Sequence, residues 1–321
     1  MNDRQRKRTL SCKGVARAVF HSGRLVRTLP LLALLLALTA CARGGVAPSA
    51  FGGGSGTKSD PYLIATEAYL RDIAAAPQLY KGKYFLQTAD IKLNGDWKPI
   101  GDAAYYREFS GRFDGNGHRI TGLTIREDSN GCGSLFGFIG YGGEVRNLIV
   151  ETSPEGVAPL DWDTRVGIIA AFNRGLIENC ITRGRVVNAS VAGGTTACND
   201  GTVKNCVNHT VIASNGVCSY FSAGGIAGEI SDVLTGTTGL ITGCTNYGSI
   251  TAESNAGGIV AENIGTVQDC VNHGPVSAKG SVFGIYAGGV AGTNRTLIAR
   301  CRNTGTIRAS GLGSGLIKGK K

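Results

Sequence analysis

The stretch AGGIVAENIGTVQDCVNHG, residues 256–274, combines a glycine pair, a cysteine and a histidine. Thirteen residues separate Gly257 from Cys270, and the same thirteen separate a glycine from a cysteine in three other segments. A further copy, between Gly224 and Cys244, is seven residues longer. A catalytic motif normally occurs once in a chain, whereas a structural unit recurs. The pattern therefore indicates a repeat protein.

A second spacing supports the same alignment. An asparagine lies two residues after the cysteine in four units, at Asn208, Asn246, Asn272 and Asn303. The steps between successive cysteines vary from 26 to 38 residues, while the spacings inside each unit hold. A variable period with constant internal spacings predicts loops of different length on a fixed frame.

Each unit contains three short apolar or β-branched runs that are divided by Gly, Asn or Asp. In the quoted unit they are GGIVA, GTVQDCVN and PVSA. The repeat region contains no ten-residue stretch of helical period, which argues against the leucine-rich, ankyrin and tetratricopeptide types of solenoid. We therefore expect an all-β fold, a parallel β-helix with three short strands per coil and about 4.8 Å between coils.

On this frame the repeated cysteines point inward and stack in one file, where a thiol behaves as a small buried hydrophobe. The asparagines that follow them turn the chain and pass amide hydrogen bonds from coil to coil. We interpret both files as structural ladders. The ladder cysteines are Cys180, Cys206, Cys244, Cys270 and Cys301.

The units AGGIVAENIGTVQDCVNHG and AGGIAGEI followed by GLITGCTNYG resemble GLUG-motif repeats, glycine-rich repeats of bacterial surface and adhesin-like proteins. The upstream stretches GGGSGTKSDPYLIAT, YFLQTADIKLNGDWKPIG and FSGRFDGNGHRITGLTI resemble the region that precedes such repeats. Together they cover residues 52–310. The resemblance implies a right-handed, pectate-lyase-like β-helix. It implies no catalytic residues, because the motif is a signature of the fold.

The N-terminal segment predicts export. Residues 1–40 contain eight Lys or Arg and one acidic residue, and the run LPLLALLLALTA ends directly before Cys41. This run is too short to span a membrane but suits a signal peptide. Leu38–Ala40 before Cys41 resemble a bacterial lipobox, which predicts a lipidated cysteine, a membrane anchor and a position on the bacterial cell surface. An ordinary secretory signal and a later start codon stay open.

The expected domains follow from these segments. They are a lipoprotein signal peptide (1–40), a flexible tether (41–56), an N-terminal cap with the first coils (57–130), the GLUG-type repeats (131–310) and a basic tail (311–321). Thr66 followed by EAYLRDIAAA predicts a capped amphipathic helix that covers the first coil. The tail is too poor in apolar residues to form an obvious cap.

The net charge gives no reason to expect a nucleic-acid partner. The whole chain carries +10, of which residues 1–40 supply +7 and the remainder only +3. A nearly neutral body lacks the electrostatic footprint of a nucleic-acid-binding protein.

Several motifs that suggest chemistry have simpler interpretations. DGNGH, residues 114–118, places an Asp near a His, but Asp-Gly and Asn-Gly favour turns. The glycine pairs lack the Lys and the helix of a phosphate-binding loop, and HExxH is absent. His209 and His273 lie two coils apart, about 10 Å, with Tyr247 between them, which is too far to share a metal. We therefore expect no metal and no cofactor.

A polysaccharide lyase or hydrolase is the alternative to a binding protein. Such an enzyme requires carboxylates that stack on adjacent coils. The acids of the repeat region appear scattered, at Glu178, Asp200, Glu229, Glu253, Glu262 and Asp269. We therefore expect a non-enzyme with an adhesin-like binding or structural role.

Departures from the repeat are the places where a specific site can arise. Trp162, Tyr220 and Phe221 lie on such loops and are the predicted contacts for a glycan or a protein. Cys198 and Cys218 lie off the ladder, and spacing alone does not decide whether they form a disulfide. The sequence does not fix the oligomeric state.

Overall fold

The repeat units wind into a parallel β-helix, because each strand pairs in parallel with the equivalent strand one coil along. The computed structural model describes residues 51–102, 107–126, 131–159, 164–214, 221–230, 239–280, 284–310 and 315–317. Gly224 and Gly257 are register partners, and so are Asn246 and Asn272. Equal positions in the sequence repeat therefore occupy equal positions on successive coils.

The N-terminal part contains the helix α1 (Glu67–Ala75), a 3-10 helix (Pro77–Tyr80) and the strands β1 (Tyr62–Ile64), β2 (Tyr84–Gln87), β3 (Ile91–Lys92), β4 (Arg112–Asp114) and β5 (Arg119–Ile125). The first repeat coil contains β6 (Cys132–Gly133), β7 (Phe136–Ile139), β8 (Glu144–Arg146) and β9 (Ile149–Val157). The second coil contains β10 (Arg165–Gly167), β11 (Ala170–Asn173), β12 (Leu176–Glu178), β13 (Ile181–Arg183) and β14 (Arg185–Val187).

The third coil contains β15 (Val191–Gly193), β16 (Thr196–Asn199), β17 (Thr202–Lys204), β18 (Val207–Asn208) and β19 (Val211–Ser214). The fourth contains β20 (Ser222–Gly224), β21 (Ala227–Ile230), β22 (Leu240–Thr242), β23 (Thr245–Asn246) and β24 (Ile250–Ala252). The fifth contains β25 (Asn255–Gly257), β26 (Val260–Asn263), β27 (Thr266–Gln268), β28 (Val271–Asn272) and β29 (Val276–Lys279). The sixth contains β30 (Tyr286–Gly288), β31 (Ala291–Asn294), β32 (Leu297–Ala299), β33 (Arg302–Asn303) and β34 (Ile307–Ser310), and β35 (Gly315–Ile317) follows.

These strands form four stacked sheets. Sheet I is β1-β2-β4-β8-β12-β17-β22-β27-β32, and sheet II is β35-β30-β25-β20-β15-β10-β6. Sheet III is β31-β26-β21-β16-β11-β7. Sheet IV contains the two remaining strands of each repeat coil, together with β3, β5 and β9. The parallel β-helix is confirmed by this topology.

The number of strands per coil differs from the expectation: the second to sixth coils each contain five strands rather than three. The reason lies within the apolar runs. A bend at Gly258 divides the first run into β25 and β26, and Asp269, whose φ is +56°, divides the second into β27 and β28. Apolar patterning alone does not show these bends.

The two repeated glycines have separate steric roles. A Cβ atom on Gly257 would lie 1.7 Å from the carbonyl oxygen of Val260, so only glycine permits the tight bend between β25 and β26. A Cβ atom on Gly258 would lie 2.1 Å from the carbonyl oxygen of Gly289 and 2.4 Å from Cγ of Asn272, so the second glycine makes room for the backbone of the next coil and for the asparagine ladder. The glycine pair thus serves the backbone and not a phosphate.

The core is a narrow stack of inward side chains. On sheet I it is a fully buried aliphatic file, Val145, Ile177, Val203, Ile241 and Val267. Burial of such a side chain contributes about 1.5–3 kcal/mol relative to exposure. Towards the N-terminal end, aromatic rings replace the aliphatic groups, as Phe85, Phe109, Phe113 and Phe136 pack against one another.

Helix α1 covers this aromatic end, as predicted. The hydroxyl of Thr66 accepts a hydrogen bond from the N–H of Tyr69 at 3.4 Å and caps the helix. Leu70, Ile73 and Ala74 are buried against the core.

Part of the predicted tether belongs to this cap, so the expectation of a flexible segment up to residue 56 is wrong. Phe51 is 7% exposed, and its ring packs against Tyr62, Tyr69 and Phe85 at centroid distances of 4.9–5.8 Å. The backbone N–H of Gly52 donates to the carbonyl of Leu63 at 3.0 Å. Burial of one large ring fixes this short segment.

The predicted basic tail also contributes to the fold. Gly315–Ile317 forms strand β35, which pairs in parallel with Tyr286–Gly288. The description of residues 311–321 as a tail alone is therefore wrong, because β30 still has a free edge to which backbone groups can bond. Among the described residues, no helix has the length and apolar character needed to span a membrane.

Candidate functional site

The ladder cysteines form one inward file. Cys180, Cys206, Cys244 and Cys270 are fully buried, whereas Cys301, in the sixth coil, is partly exposed. Each thiol donates to the backbone carbonyl two residues earlier, at 3.1–3.4 Å. Burial raises the pKa of the Cys180 and Cys244 thiols well above its ordinary value. The thiolate is the reactive form, so Cys180 and Cys244 are poor nucleophiles.

The ladder asparagines form a chain of side-chain amides beside the cysteines. Nδ2 of Asn208 donates to Oδ1 of Asn246 at 2.8 Å, and Asn246 donates to Asn272 at 2.7 Å. Asn272 donates in turn to Asn303 at 2.7 Å. The first bond of this row comes from the hydroxyl of Thr182, which donates to Oδ1 of Asn208 at 2.9 Å. These side chains link five coils through hydrogen bonds, all of them buried except the part-buried bond to Asn303.

Four residues of the sequence predictions lie outside the described residues: Cys41, Trp162, Tyr220 and Cys218. Residues 231–237, where we place the seven extra residues of the copy between Gly224 and Cys244, lie outside them as well.

Phe221, the third predicted ligand contact, is 1% exposed, so the expectation that it contacts a ligand from an exposed loop is wrong. Its carbonyl accepts hydrogen bonds from the backbone N–H groups of Ser254 and Asn255, at 3.1 and 3.2 Å. These bonds fix Phe221 against the next coil, and burial of its ring removes a large apolar area from water.

The segment DGNGH forms a turn between β4 and β5. Oδ1 of Asp114 accepts a hydrogen bond from the N–H of Asn116 at 2.8 Å, and the φ of Asn116 is +51°. His118 faces Asp90 rather than Asp114, with 3.2 Å between Nδ1 and Oδ1. The interpretation of this segment as a turn is confirmed.

Three rings stack on the outer surface of sheet IV, each directly after a ladder asparagine. The rings of His209 and Tyr247 are 5.1 Å apart and 7° from parallel, and those of Tyr247 and His273 are 4.8 Å apart and 11° from parallel. Because the rings cover one another's faces, they present their edges to solvent. Tyr247 is 51% exposed, and Nδ1 of His273 lies 2.7 Å from the hydroxyl of Thr304.

The segments that carry the rings are uncharged, and the equivalent segments of the coils on either side carry arginine. No Asp, Glu, Lys or Arg occurs in 207–213, 245–251 or 271–277. The flanking segments contain four exposed arginines and no acid: Arg183, Arg185, Arg302 and Arg308. We call the outward side chains of segments 181–187, 207–213, 245–251, 271–277 and 302–308 the ring face. Four steps between coils give it a length of about 19 Å.

The pKa of His209, at one end of the ring stack, differs from the ordinary value of a histidine. Burial, and then the positive charge of Arg183, lowers the pKa of His209 below its ordinary value of 6.5. His209 is therefore neutral near pH 7, and it gains a charge only when the pH falls.

A concave corner lies between sheets II and III. Asn255 on β25 and Glu262 on β26 both point outward, yet Nδ2 of Asn255 donates to Oε1 of Glu262 at 2.5 Å. The tight bend at Gly257 brings these two outward faces together. We call Cys198, Ser222, Glu229, Asn255 and Glu262 the concave corner.

Two carboxylates stack in this corner, because Glu229 and Glu262 are register partners on adjacent coils. The sequence interpretation of the acids as scattered is therefore wrong. The signal was present in the sequence: each glutamate lies five residues after the first glycine of its unit, Gly224 or Gly257. Both side chains are half-buried.

Every donor in the corner is directed at one of these carboxylates. The thiol of Cys198 donates to Oε1 of Glu229 at 3.1 Å, and the hydroxyl of Ser222 donates to Oε1 of Glu262 at 3.4 Å. Burial, and then the charge of Glu229, raises the pKa of Cys198. Oδ1 of Asn255 is buried and has no hydrogen-bond partner.

A cleft of about 380 Å³ opens beside β2 and β4. Three of its charged groups form ion pairs: Arg112 lies 3.1 Å from Glu144 and 5.0 Å above the ring of Tyr84, and Arg146 lies 2.8 Å from Glu144. Exposed ion pairs of this kind contribute about 0–1 kcal/mol each. This arrangement forms a stabilising ladder on sheet I.

No three His, Cys, Asp or Glu side chains converge on one point within the described ranges. Any cation site in this part of the chain must therefore include amide, hydroxyl or water oxygens among its ligands.

No family model matches the chain. Over 142 residues, 41% of the chain, it is 42% identical to a protein named "Putative Gly-rich membrane protein" from Evansella cellulosilytica. Over 161 residues, 47% of the chain, it is 30% identical to halomucin from Haloquadratum walsbyi. The matched regions make up only 15% and 2% of these two relatives.

A solved structure shares the fold. The crystal structure of a "putative immunoglobulin A1 protease" from Bacteroides ovatus superimposes with a TM-score of 0.61. The match covers 84% of this chain and 80% of that one, at 22% sequence identity. At this identity the likeness concerns the fold alone, which is a parallel β-helix.

Proposed function

We propose that the protein is a surface-anchored lipoprotein of GLUG-type repeats that binds an acidic glycan along its ring face without breaking bonds. The anchor is the diacylated Cys41 at the end of the predicted signal peptide. Support for a position outside the cytoplasm comes from the relatives, one named a membrane protein and the other halomucin.

The observation that carries the binding role is the exposed stack of His209, Tyr247 and His273. Its edges offer a phenolic hydroxyl and imidazole nitrogens at intervals of 4.8–5.1 Å. A glycan chain presents hydroxyl groups at regular intervals along its length. A polymer lying parallel to the helix axis therefore meets the same kind of group on each coil.

The charges of the ring face favour an acidic polymer. The three ring-bearing segments, 207–213, 245–251 and 271–277, carry no charge, so a sugar backbone that lies on them desolvates no ionised side chain. The arginines at both ends present planar guanidinium groups, which bind carboxylate or sulfate in bidentate fashion. Binding should therefore weaken with rising salt.

A second candidate function is a carbohydrate-active β-helix enzyme, favoured by the stacked Glu229 and Glu262. Stacked carboxylates are a requirement of that chemistry and not a proof of it. Depolymerisation of a bound polysaccharide by the wild type, with loss of turnover in Glu229→Gln, would replace the binding proposal by this one.

Binding of the purified full chain to a polyuronate, a sulfated polysaccharide and a neutral polysaccharide tests the proposal. Tyr247→Ala should weaken binding to the preferred acidic polymer by about tenfold, a change of about 1.4 kcal/mol. Tyr141→Ala is the matched control, because Tyr141 has the same 51% exposure and lies outside the ring face. Equal affinities for both variants, or a protein partner in place of all three polymers, would contradict the proposal.

Labelling with radioactive palmitate in cells tests the anchor. Wild type and Cys12→Ala should incorporate the label, because Cys12 lies inside the predicted signal peptide. Cys41→Ala should not. Incorporation into Cys41→Ala at the level of the wild type would show that this cysteine is not the lipidated residue.

A further inference from the structure

We propose that the concave corner is a site for a divalent cation of the Ca²⁺ type, held between Glu229 and Glu262. This site lies on sheets II and III and is independent of the ring face on sheet IV.

The first observation is a pair of like charges on adjacent coils. Glu229 and Glu262 occupy facing positions on adjacent parallel strands, which lie about 4.8 Å apart. No Lys, Arg or His of the described residues forms an ion pair with either carboxylate. Two adjacent carboxylates repel each other unless a cation or a proton lies between them.

The second observation is an orphaned buried acceptor beside the pair. Asn255 is 8% exposed, and its Nδ2 donates to Oε1 of Glu262 at 2.5 Å, which places the amide in the corner. Its Oδ1 has no hydrogen-bond partner. A buried carbonyl oxygen without a partner costs about 1–3 kcal/mol, so a ligand that bonds to it is favoured.

The balance of donors and acceptors indicates a cation rather than a polar molecule. The thiol of Cys198, the amide of Asn255 and the hydroxyl of Ser222 all donate to carboxylate oxygens. The groups that remain are acceptors: the second carboxylate oxygens of Glu229 and Glu262, and the amide oxygen of Asn255. Oxygen acceptors of mixed type, in flexible number, are the ligands of Ca²⁺.

The chemistry of the ligands separates Ca²⁺ from other metals. Mg²⁺ requires near-octahedral geometry and retains its waters, whereas Ca²⁺ accepts six to eight oxygens, with water completing the shell. Zn²⁺ prefers thiolate and imidazole, but the Cys198 thiol uses its proton in the bond to Glu229, and no histidine belongs to the concave corner. A bound cation would join the fourth and fifth coils.

Calorimetric titration of the purified full chain with CaCl₂ tests the site. We expect one saturable site with a Kd on the order of 10⁻⁴ to 10⁻³ M, the range of extracellular calcium modules. Glu229→Gln and Glu262→Gln should each weaken binding at least tenfold. Asp269→Asn is the control, since Asp269 lies in the same coil as Glu262 but pairs with Arg300 on the outside. Its Kd should equal that of the wild type.

Thermal unfolding in EDTA, where no cation is bound, shows whether the glutamine variants fold as the wild type does. The glutamine variants should melt at or above the temperature of the wild type, because they lose charge repulsion. Added CaCl₂ should raise the melting temperature of the wild type and leave both variants unchanged. Absence of saturable CaCl₂ binding, glutamine variants that bind as the wild type does, or a CaCl₂-insensitive wild type would overturn the proposal.

Discussion

Removal of one amide from the middle of the asparagine ladder should destabilise the protein strongly. Asn246 is fully buried and makes four side-chain hydrogen bonds of 2.7–3.0 Å. Two join it to Asn208 and Asn272 on the adjacent coils, and two bind the N–H and the C=O of Gly248. Asn246→Ala removes all four.

The magnitude follows from the groups that lose their partner. Asn208 keeps a bond from its Nδ2 to Thr210, and Asn272 keeps a bond from the N–H of Gly274 to its Oδ1. The two buried peptide groups of Gly248 lose the amide that bonds them. Each unsatisfied buried group costs about 1–3 kcal/mol, so the free energy of unfolding should fall by about 2–6 kcal/mol.

Urea unfolding followed by circular dichroism measures this change. Asn303→Ala is the control, because Asn303 makes the same two bonds to the peptide of Gly305 but is only half-buried in the sixth coil. Water can replace those bonds, so the loss should be about 1 kcal/mol or less. A loss below 1 kcal/mol in Asn246→Ala, or an equal loss in both variants, would refute the reasoning.

Three further predictions concern the core, the bend and the rings. Native protein should react slowly with a thiol reagent at the four buried ladder cysteines, because burial keeps the reagent away from the sulfur; fast modification of all four would exclude an inward file. Gly257→Ala should prevent folding, since its Cβ would lie 1.7 Å from a backbone oxygen. Gly142→Ala meets no atom within 4 Å, so it should fold with only the cost of an alanine at a φ of +73°, about 1–2 kcal/mol; soluble yield compares the two variants. Because the pKa of His209 is lowered on folding, the unfolded state binds more protons, so stability should decline as the pH falls below 6.5. His209→Gln should show a smaller decline in melting temperature over that range, and an unchanged decline would count against this assignment.

The cysteine and asparagine ladders could be predicted from the sequence, because the spacings between the repeated residues are constant and determine the register of the coils. Thirteen residues between a glycine and a cysteine place equivalent side chains on successive coils, and parallel pairing then stacks them. The same reasoning applies to Glu229 and Glu262, each five residues after the first glycine of its unit. Comparison of every repeat position, and not only of Gly, Cys and Asn, would have revealed that pair.

Other features depend on tertiary contacts that no spacing encodes. Phe51 stands in a glycine-rich segment without periodicity, and it is buried only because α1, β1 and β2 meet around it. The burial of Phe221 likewise depends on backbone bonds to the next coil. The side chain of Asn255, with its unpartnered oxygen, meets Glu262 of another sheet only in the folded chain.

Histidine modification gives the most direct test of the ring face as the binding surface. Diethyl pyrocarbonate labelling of the chain, with and without the preferred acidic polysaccharide, would be mapped by mass spectrometry to His118, His209 and His273. The polymer should protect His209 and His273, which belong to the stack, and leave His118 beside Asp90 unprotected. A bound polymer that protects none of them, or protects His118 as strongly as the other two, would contradict the assignment of binding to the ring face.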